Sequence, residues 1–437
     1  MNHPEGGLVA NLVLLGSFCS ITGGLGLMNS IGIYQAWLTT HQLSSFSHAQ
    51  ISWIFGIYNF LIFFGGLQIG PIFDAKGPRA LMWIGSTLLV VVFVCLGFCR
   101  LYWHFFLVLG VVGGIGTSFI FIVPVATIGH FFLRRRGAAT GLAMAGGSVG
   151  GVIFPIMLEN LGPRIGFAWA TRAIGLVTLV LLFVGCLLVR GGDHQSKSSP
   201  SSSDSEQGRE SEPKEKPSQS LRSLLPDLTI LRNPLLALTT AGVFFIEWGF
   251  FIPLEYITSY ALANDISPRL AYLMVVFFNA GSFPGRWIPG ILADRVGRFN
   301  MLIITNVLSL VAVLAVWMPA KGNLVATIIF AVVFGFASGS NISLVPVCVG
   351  ELCPTEAYGR FYTTVYTIVS LGYVLFFLTS LSWLMIMLML TRALTGVPIA
   401  GEIINRTHGE YWGLIAFAGC SYAAGLVCFI AVRFMQK

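Results

Sequence analysis

The chain has 437 residues, of which 55% are hydrophobic and only 10% are charged. Soluble domains carry about a quarter charged residues, so this composition excludes a soluble protein and predicts a polytopic membrane protein. The net charge of +7 does not indicate nucleic-acid binding, because the basic residues follow the loops rather than forming one basic face.

Twelve apolar runs reach the length of about 20 residues that a membrane helix needs. Six of them precede a polar stretch, and six follow it. The runs lie at 9–33, 51–72, 80–99, 104–130, 137–158, 166–189, 235–261, 269–293, 301–320, 323–350, 361–404 and 411–433. We therefore expect an all-α membrane protein of twelve helices. Its two six-helix halves are predicted at residues 1–190 and 232–437.

The polar stretch between the halves covers residues 191–231. It is rich in serine, carries charges of both signs and contains several prolines. Such a composition cannot bury a hydrophobic core. We expect a disordered linker on the cytoplasmic side.

A short repeat lies at matching points of the two halves. The first copy reads Gly70-Pro-Ile-Phe-Asp74-Ala-Lys-Gly77-Pro-Arg79, and the second reads Gly290-Ile-Leu-Ala-Asp294-Arg-Val-Gly297-Arg298. Each Asp is placed to accept hydrogen bonds from the N–H groups of a neighbouring helix start, or to pair with an arginine. The glycines permit a tight turn and close helix approach. We interpret both copies as gating motifs, which latch helices in one state and release them in another.

The basic residues also predict the orientation. Seventeen Lys and Arg residues fall in segments on the side of the two motifs, and five fall in segments on the opposite side. Both termini, the linker and both motifs are therefore expected in the cytoplasm. Asn405-Arg-Thr407 then lies in the last outside loop, where Asn405 is a candidate for glycosylation.

The sequence offers little support for an enzyme. Gly146-Gly-Ser148-Val-Gly150 matches the G-x-S-x-G pattern of a nucleophile elbow, which requires a strand–turn–helix context. Here the pattern lies inside a span, where small residues favour helix packing instead. A GxxxxGK[ST] loop is absent, so an ATP-driven pump is excluded. The eight cysteines lack the spacing of a metal site, and we expect no metal or cofactor.

With its duplicated motif, the chain resembles the major facilitator superfamily over essentially its whole length. More narrowly, it is similar to the fungal branch of the monocarboxylate porter family. Three segments carry this similarity: Pro4-Glu-Gly-Gly7, Ile51-Ser-Trp-Ile54, and Glu351-Leu-Cys-Pro354 through Gly359-Arg360. The resemblance implies an alternating-access secondary transporter whose site lies between the halves.

Charged residues inside the membrane cost about 2.5–3.5 kcal/mol each and are functional candidates by default. Arg286 lies eight residues before Asp294, well inside the eighth run. In the monocarboxylate porters an arginine four residues before the motif glycine binds the substrate carboxylate, and Arg286 matches this position relative to Gly290. The alternative is an arginine in a structural ion pair. Glu247, in the seventh run, is either a proton carrier or the fixed partner of Arg286.

The departures from this family are informative. Animal members place a Lys where this chain has Asn29 and an Asp where it has Ser282, and use both in coupling protons to lactate. Together with Asn279, these polar residues are candidates for a cavity that receives a larger substrate. Each can instead form a hydrogen bond between helices.

The eleventh run is about 21 residues longer than its counterpart in the first half. Gly359 and Pro398 are 39 positions apart, whereas the corresponding Gly137 and Pro155 are 18 positions apart. The excess lies near residues 373–392. We hypothesise a translated, unspliced intron; the alternative is a real extra hydrophobic segment. Transcripts that all retain these codons would rule out the intron.

These observations predict a secondary active or facilitative transporter for a small organic acid or related metabolite, with efflux of a fungal secondary metabolite as one form of this activity. The alternative is proton-coupled monocarboxylate uptake, and a non-transporting nutrient sensor is a third reading. We expect a multi-pass protein of the plasma membrane, or alternatively of the vacuole. Its expected partners are a small-molecule substrate, lipid and, under the coupled reading, protons. We expect no nucleic acid and no obligate protein partner.

Overall fold

The computed structural model describes residues 6–46, 48–190, 232–353, 358–369 and 410–436. Their regular secondary structure is helical throughout. Lipid offers no hydrogen-bond partners to the backbone, so a spanning segment must satisfy its N–H and C=O groups internally, as a helix does.

Ten helices of the described part are long and apolar enough to cross a membrane. They lie at Leu8–Thr40, Trp53–Asp74, Pro78–Leu96, Tyr102–Phe131, Arg136–Ile165, Phe167–Leu188, Pro234–Ala263, Arg298–Ala320, Leu324–Val349 and Trp412–Met435. The helix Pro268–Val296 lies between the seventh and ninth spans; it is 29 residues long and contains the charged residues Arg269, Arg286 and Asp294. Residues 358–369 are helical at the place of the eleventh span. The prediction of an all-helical membrane fold is confirmed.

The first span is longer than its apolar run predicts and is broken in its middle. It consists of the helices Leu8–Met28 and Ile31–Thr40. The predicted run stopped at residue 33 because the following residues are more polar, although they do not prevent a helix. At the break, Ser30 Oγ donates to the carbonyl of Gly26 at 2.6 Å. Such side-chain bonds to the backbone compete with regular helical bonding.

The first, fifth and eighth spans pack together at the centre of the molecule. Glycines make this approach possible: a Cβ on Gly150 would lie 2.5 Å from the Cα of Gly26. Gly146 likewise faces Thr22, with a Cβ-to-Oγ1 distance of 2.7 Å. The Gly146–Gly150 segment is therefore part of the helix Arg136–Ile165 and serves packing, which agrees with its interpretation as a helix-packing motif.

Three sequence predictions lie outside the described residues. They are the linker at 191–231, the extra segment at 373–392 and the glycosylation candidate Asn405.

Candidate functional site

Arg286 is buried at the centre of the molecule, with 1% of its surface exposed. Its Nε donates to Ser282 Oγ at 3.1 Å, and its Nη1 donates to the carbonyl of Met144 in the fifth span at 2.7 Å. Gly147 leaves room for this guanidinium, because a Cβ there would lie 2.7 Å from Nη1. The arginine therefore extends from the eighth span towards the fifth and is fixed in position.

Glu247 lies in the seventh span and is 2% exposed. Its Oε2 has no hydrogen-bond partner among the described residues. The charges of Glu247 and Arg286 act on each other, but the hydrogen bonds of the guanidinium go to Ser282 and Met144. Within the described part of the chain, Glu247 is thus near Arg286 without being hydrogen-bonded to it.

A small cavity joins these two groups. Its volume is about 10 Å³, roughly the space that one water molecule needs. Its lining consists of Leu25, Met28, Asn29, Phe63, Phe121, Glu247, Arg286, Ile342 and Tyr366. The lining comes from both predicted halves, and one acid and one base face each other across it.

Asn29 reaches this cavity from the break in the first span. Its Nδ2 donates to the carbonyl of Gly147 at 2.9 Å. Asn279 Nδ2 donates to the carbonyl of Asn29 at 3.3 Å and to that of Val275 at 2.9 Å. Two of the predicted polar residues therefore hold helices together. Ser282 positions Arg286.

Aromatic residues around the cavity were not predicted as site residues. Tyr366 stacks on Phe63, with ring centroids 5.3 Å apart, and meets Phe121 edge-on at 5.9 Å. The hydroxyls of Tyr366 and Tyr362 have no hydrogen-bond partner among the described residues. The spacing of Tyr358, Tyr362 and Tyr366 at every fourth position is the sequence signal, since such residues share one helix face.

Both motif aspartates connect spans that precede the polar stretch with spans that follow it. Asp294 accepts from the N–H groups of Gly137 and Ala138 at 3.0 and 2.9 Å, at the start of the fifth span. Asp74 accepts from the N–H of Arg360 at 3.2 Å, at the start of the eleventh. A carboxylate at a helix start is favoured by charge-assisted hydrogen bonds and by the helix dipole.

The motif glycines have two distinct roles. Gly77 and Gly297 end their helices with φ of 77° and 103°, a region that residues with a Cβ rarely adopt. Gly70 and Gly290 allow close approach between spans. A Cβ on Gly290 would lie 2.5 Å from the carbonyl oxygen of Gly137.

The arginines of the two motifs differ in their surroundings. Arg298 Nη2 donates to the carbonyl of Leu133 at 2.9 Å, which adds a third contact between the two sets of spans. Arg79 is exposed. Arg136 is buried beside the motifs, and its guanidinium carbon lies 3.8 Å from the centroid of the Tyr358 ring. The motif side of the molecule is therefore closed in this conformation.

On the opposite side, Glu255 links the seventh and second spans. Its Oε1 accepts from Asn59 Nδ2 at 3.3 Å. The helix of Glu255 continues to Ala263, and Glu255 is only 6% exposed. With the motif side latched and the centre nearly filled, the central cavity is closed towards the motif side in this conformation.

Comparison with known proteins places these features in a family. Residues 13–377 match the family model described as Major Facilitator Superfamily. A riboflavin transporter of Saccharomyces cerevisiae is 32% identical over 447 residues, which cover 99% of this chain and 79% of the relative. The fujikurins efflux protein of Gibberella fujikuroi is 32% identical over 436 residues, with 99% and 84% covered. An MFS-type transporter of Penicillium oxalicum is 32% identical over 431 residues, with 98% and 91% covered.

A solved structure gives the same result for the fold. The human organic anion transporter MFSD10 superposes with a TM-score of 0.68, covering 97% of this chain and 98% of that one. The sequence identity is 14%, so the likeness concerns the fold alone.

Proposed function

From the premise that this chain belongs to the major facilitator superfamily and is a membrane transporter, we propose that it carries a small organic acid or a related metabolite by alternating access. The substrate binds in the central cavity, with its acidic group on Arg286. The motif loops open and close the cytoplasmic side. The protein is a multi-pass membrane protein, and we place it in the plasma membrane.

Arg286 is the observation that carries this proposal. A buried cation inside a membrane span is costly unless a function retains it. Its guanidinium is held by neutral groups, Ser282 Oγ and the Met144 carbonyl, so its charge is not cancelled by a hydrogen-bonded acid within the described residues. A guanidinium suits a carboxylate because it offers paired N–H donors and keeps its charge.

The unpaired polar atoms around the cavity support a substrate with several polar groups. Tyr366 Oη and Glu247 Oε2 are both buried without a hydrogen-bond partner in the described part of the chain. Buried polar groups are normally satisfied, so a ligand that bonds to them would remove this cost. Relatives named for riboflavin transport and fujikurins efflux support a cargo larger than a simple monocarboxylate.

Proton-coupled uptake of a monocarboxylate is the second candidate. Glu247 favours it, because intramembrane carboxyl groups form proton relays in transporters, and the buried Oε2 of Glu247 has no hydrogen-bond partner among the described residues. The neutral Asn29 and Ser282, at positions that resemble the Lys and Asp of lactate carriers, weigh against it. The direction of transport depends on the gradients.

Flux into proteoliposomes tests both candidates. For the acid that proves to be the substrate, aromatic or aliphatic, we expect uptake to fall at least tenfold in Arg286→Ala, because a charged hydrogen-bonded pair contributes roughly 1.5–3 kcal/mol. Arg286→Lys should keep part of the uptake. Arg172→Ala is the matched control, since that arginine packs on the rings of Phe98 and Trp169 away from the cavity.

Unchanged flux in Arg286→Ala would refute the carboxylate site. The same vesicles, with and without a pH gradient, separate the two mechanisms. Stimulation by the gradient that Glu247→Gln abolishes would favour proton coupling, and an equal rate in both conditions would exclude it.

A further inference from the structure

A second cavity opens on the side opposite the motif loops. Its volume is about 690 Å³, within the range of roughly 300–1,000 Å³ that is typical of small-molecule sites. It is lined by the first, fifth and eighth spans, including Trp37, Glu159 and Arg269. The predicted halves therefore both contribute to it. We call it the outer cavity.

The outer cavity follows the central one along the first span. Ile33 and Trp37 are four residues apart and share one face of the helix Ile31–Thr40, and Asn29 lies at the break just before this helix. Asn29 lines the central cavity, whereas Ile33 and Trp37 line the outer one. The two cavities are thus successive parts of one route through the described residues.

A thin constriction separates them. Gly32 lies against the seventh and eighth spans, where an added Cβ would be 3.6 Å from the carbonyl oxygen of Leu254 and 3.5 Å from Val275 Cγ2. The bond from Asn279 Nδ2 to the carbonyl of Asn29 closes the same level. These contacts separate the outer cavity from Arg286 in this conformation.

Charged groups in the outer cavity are available to a ligand. Arg269 is exposed, and Glu159 is half-buried. Neither forms a hydrogen bond or an ion pair within the described part of the chain. Arg269 can therefore bind a carboxylate, and Glu159 can accept hydrogen bonds from ligand hydroxyl or N–H groups.

Stacked rings form one wall of the outer cavity. Trp37 stacks on His41 with centroids 4.2 Å apart and an interplanar angle of 4°, and on Phe167 at 6.2 Å. Gly162 packs against the Trp37 ring, because a Cβ there would lie 2.5 Å from Cη2. The wall is aromatic and its central ring is held in place, and aromatic rings pack against one another edge-to-face or in offset stacks.

We propose that the outer cavity is a loading site for a hydroxylated aromatic acid. Its carboxylate binds Arg269, its hydroxyl donates to Glu159, and its ring lies along the Trp37 wall. The ligand then crosses the constriction to Arg286, or arrives from there during efflux. This inference rests on the proposed function and specifies its substrate class.

Binding of 6-hydroxy-2-naphthoate to the full chain in lipid nanodiscs tests it by equilibrium dialysis. In Arg286→Gln, which disables the central site, we expect one remaining site. Adding Arg269→Gln is expected to weaken that site about tenfold, as the loss of a charged hydrogen-bonded pair predicts. Adding Arg100→Gln, an exposed arginine on the same side but outside the cavity, is the matched control and is expected to change nothing.

A second readout locates the ligand. Gln42 lines the outer cavity, and we expect the naphthoate to protect Gln42→Cys from a membrane-impermeant maleimide in the Arg286→Gln background. The loading-site proposal is overturned if the naphthoate does not bind to wild type or to Arg286→Gln. It is also overturned if binding is equal with and without Arg269→Gln. Failure of the proposed function is distinct: transport would then survive Arg286→Gln while the outer site still bound the probe.

Discussion

Single carboxylates hold the motif side closed. Asp294 accepts two backbone hydrogen bonds at the start of the fifth span, and such charged bonds are about twice as strong as neutral ones. Asp74 makes the corresponding contact with the eleventh span. Charge placed at helix starts therefore contributes to the closed side, together with the close helix packing there.

The first prediction concerns Asp294. Asp294→Asn keeps the size of the side chain but removes its charge, so we expect the amides of Gly137 and Ala138 to exchange hydrogen roughly tenfold faster. Hydrogen–deuterium exchange of the peptide at the start of the fifth span measures this. Asp265→Asn, in an exposed turn on the opposite side, should leave that peptide unchanged. Equal exchange in all three proteins would contradict the latch.

The second prediction concerns the bond that orients Arg286. Ser282→Asp would place a carboxylate where Ser282 Oγ now lies 3.1 Å from Nε, and the resulting ion pair would compete with the substrate for the guanidinium. We expect KM for an acidic substrate to rise about tenfold. Ser282→Ala should raise it only a few-fold. A lower KM in Ser282→Asp would show that the arginine does not bind the acid.

At the scale of elements, glycines set how closely the helices approach. Gly137 and Gly290 face each other where the fifth and eighth spans cross: a Cβ on either would lie 2.5 Å from the other's carbonyl oxygen. Small residues at such crossings let backbones pack directly in membranes. The same crossing carries Asp294, so packing and latch share one site.

The third prediction therefore concerns Gly290→Ala. The added methyl must push the spans apart, and overpacking costs about 1–3 kcal/mol. We expect a lower Tm in detergent and faster amide exchange at Gly137. Gly56→Ala is the matched control, since its Cβ would meet nothing within 4 Å. If the two variants melted alike, close packing at Gly290 would not hold the closed side.

The sequence predicted most elements because lipid restricts a spanning chain to continuous apolar helices. It missed the break in the first span at Asn29-Ser30 and the continuation to Thr40. It also missed Tyr366 and Phe63 as cavity residues, because an aromatic residue in a span is equally compatible with packing between helices. Composition does not reveal which of several apolar faces points at a cavity.

At the scale of the whole molecule, the predicted halves meet through the central cavity and the motif contacts.

The fourth prediction is that a chain cut within residues 191–231 still assembles. Co-expressed pieces should co-purify and transport, because Asp74, Asp294 and Arg286 make contacts between the described parts of the two pieces. Co-purification by a tag on one piece measures this. A cut after Gly322, inside the second half, should abolish assembly. If the linker cut abolished it equally, the predicted division into halves would be wrong.

By itself, the sequence determined the membrane class, the helical fold, the duplicated motif and the placement of Arg286 in a span. These follow from hydropathy and spacing, which act locally along the chain. Only the tertiary structure decided that Arg286 is held by Ser282 and Met144, that Glu247 Oε2 lies beside the central cavity with no hydrogen-bond partner among the described residues, and that each motif aspartate meets the start of a distant span. The contact of Arg286 with Met144 and those of each aspartate with its helix start join residues more than a hundred positions apart, and their existence depends on how the helices pack.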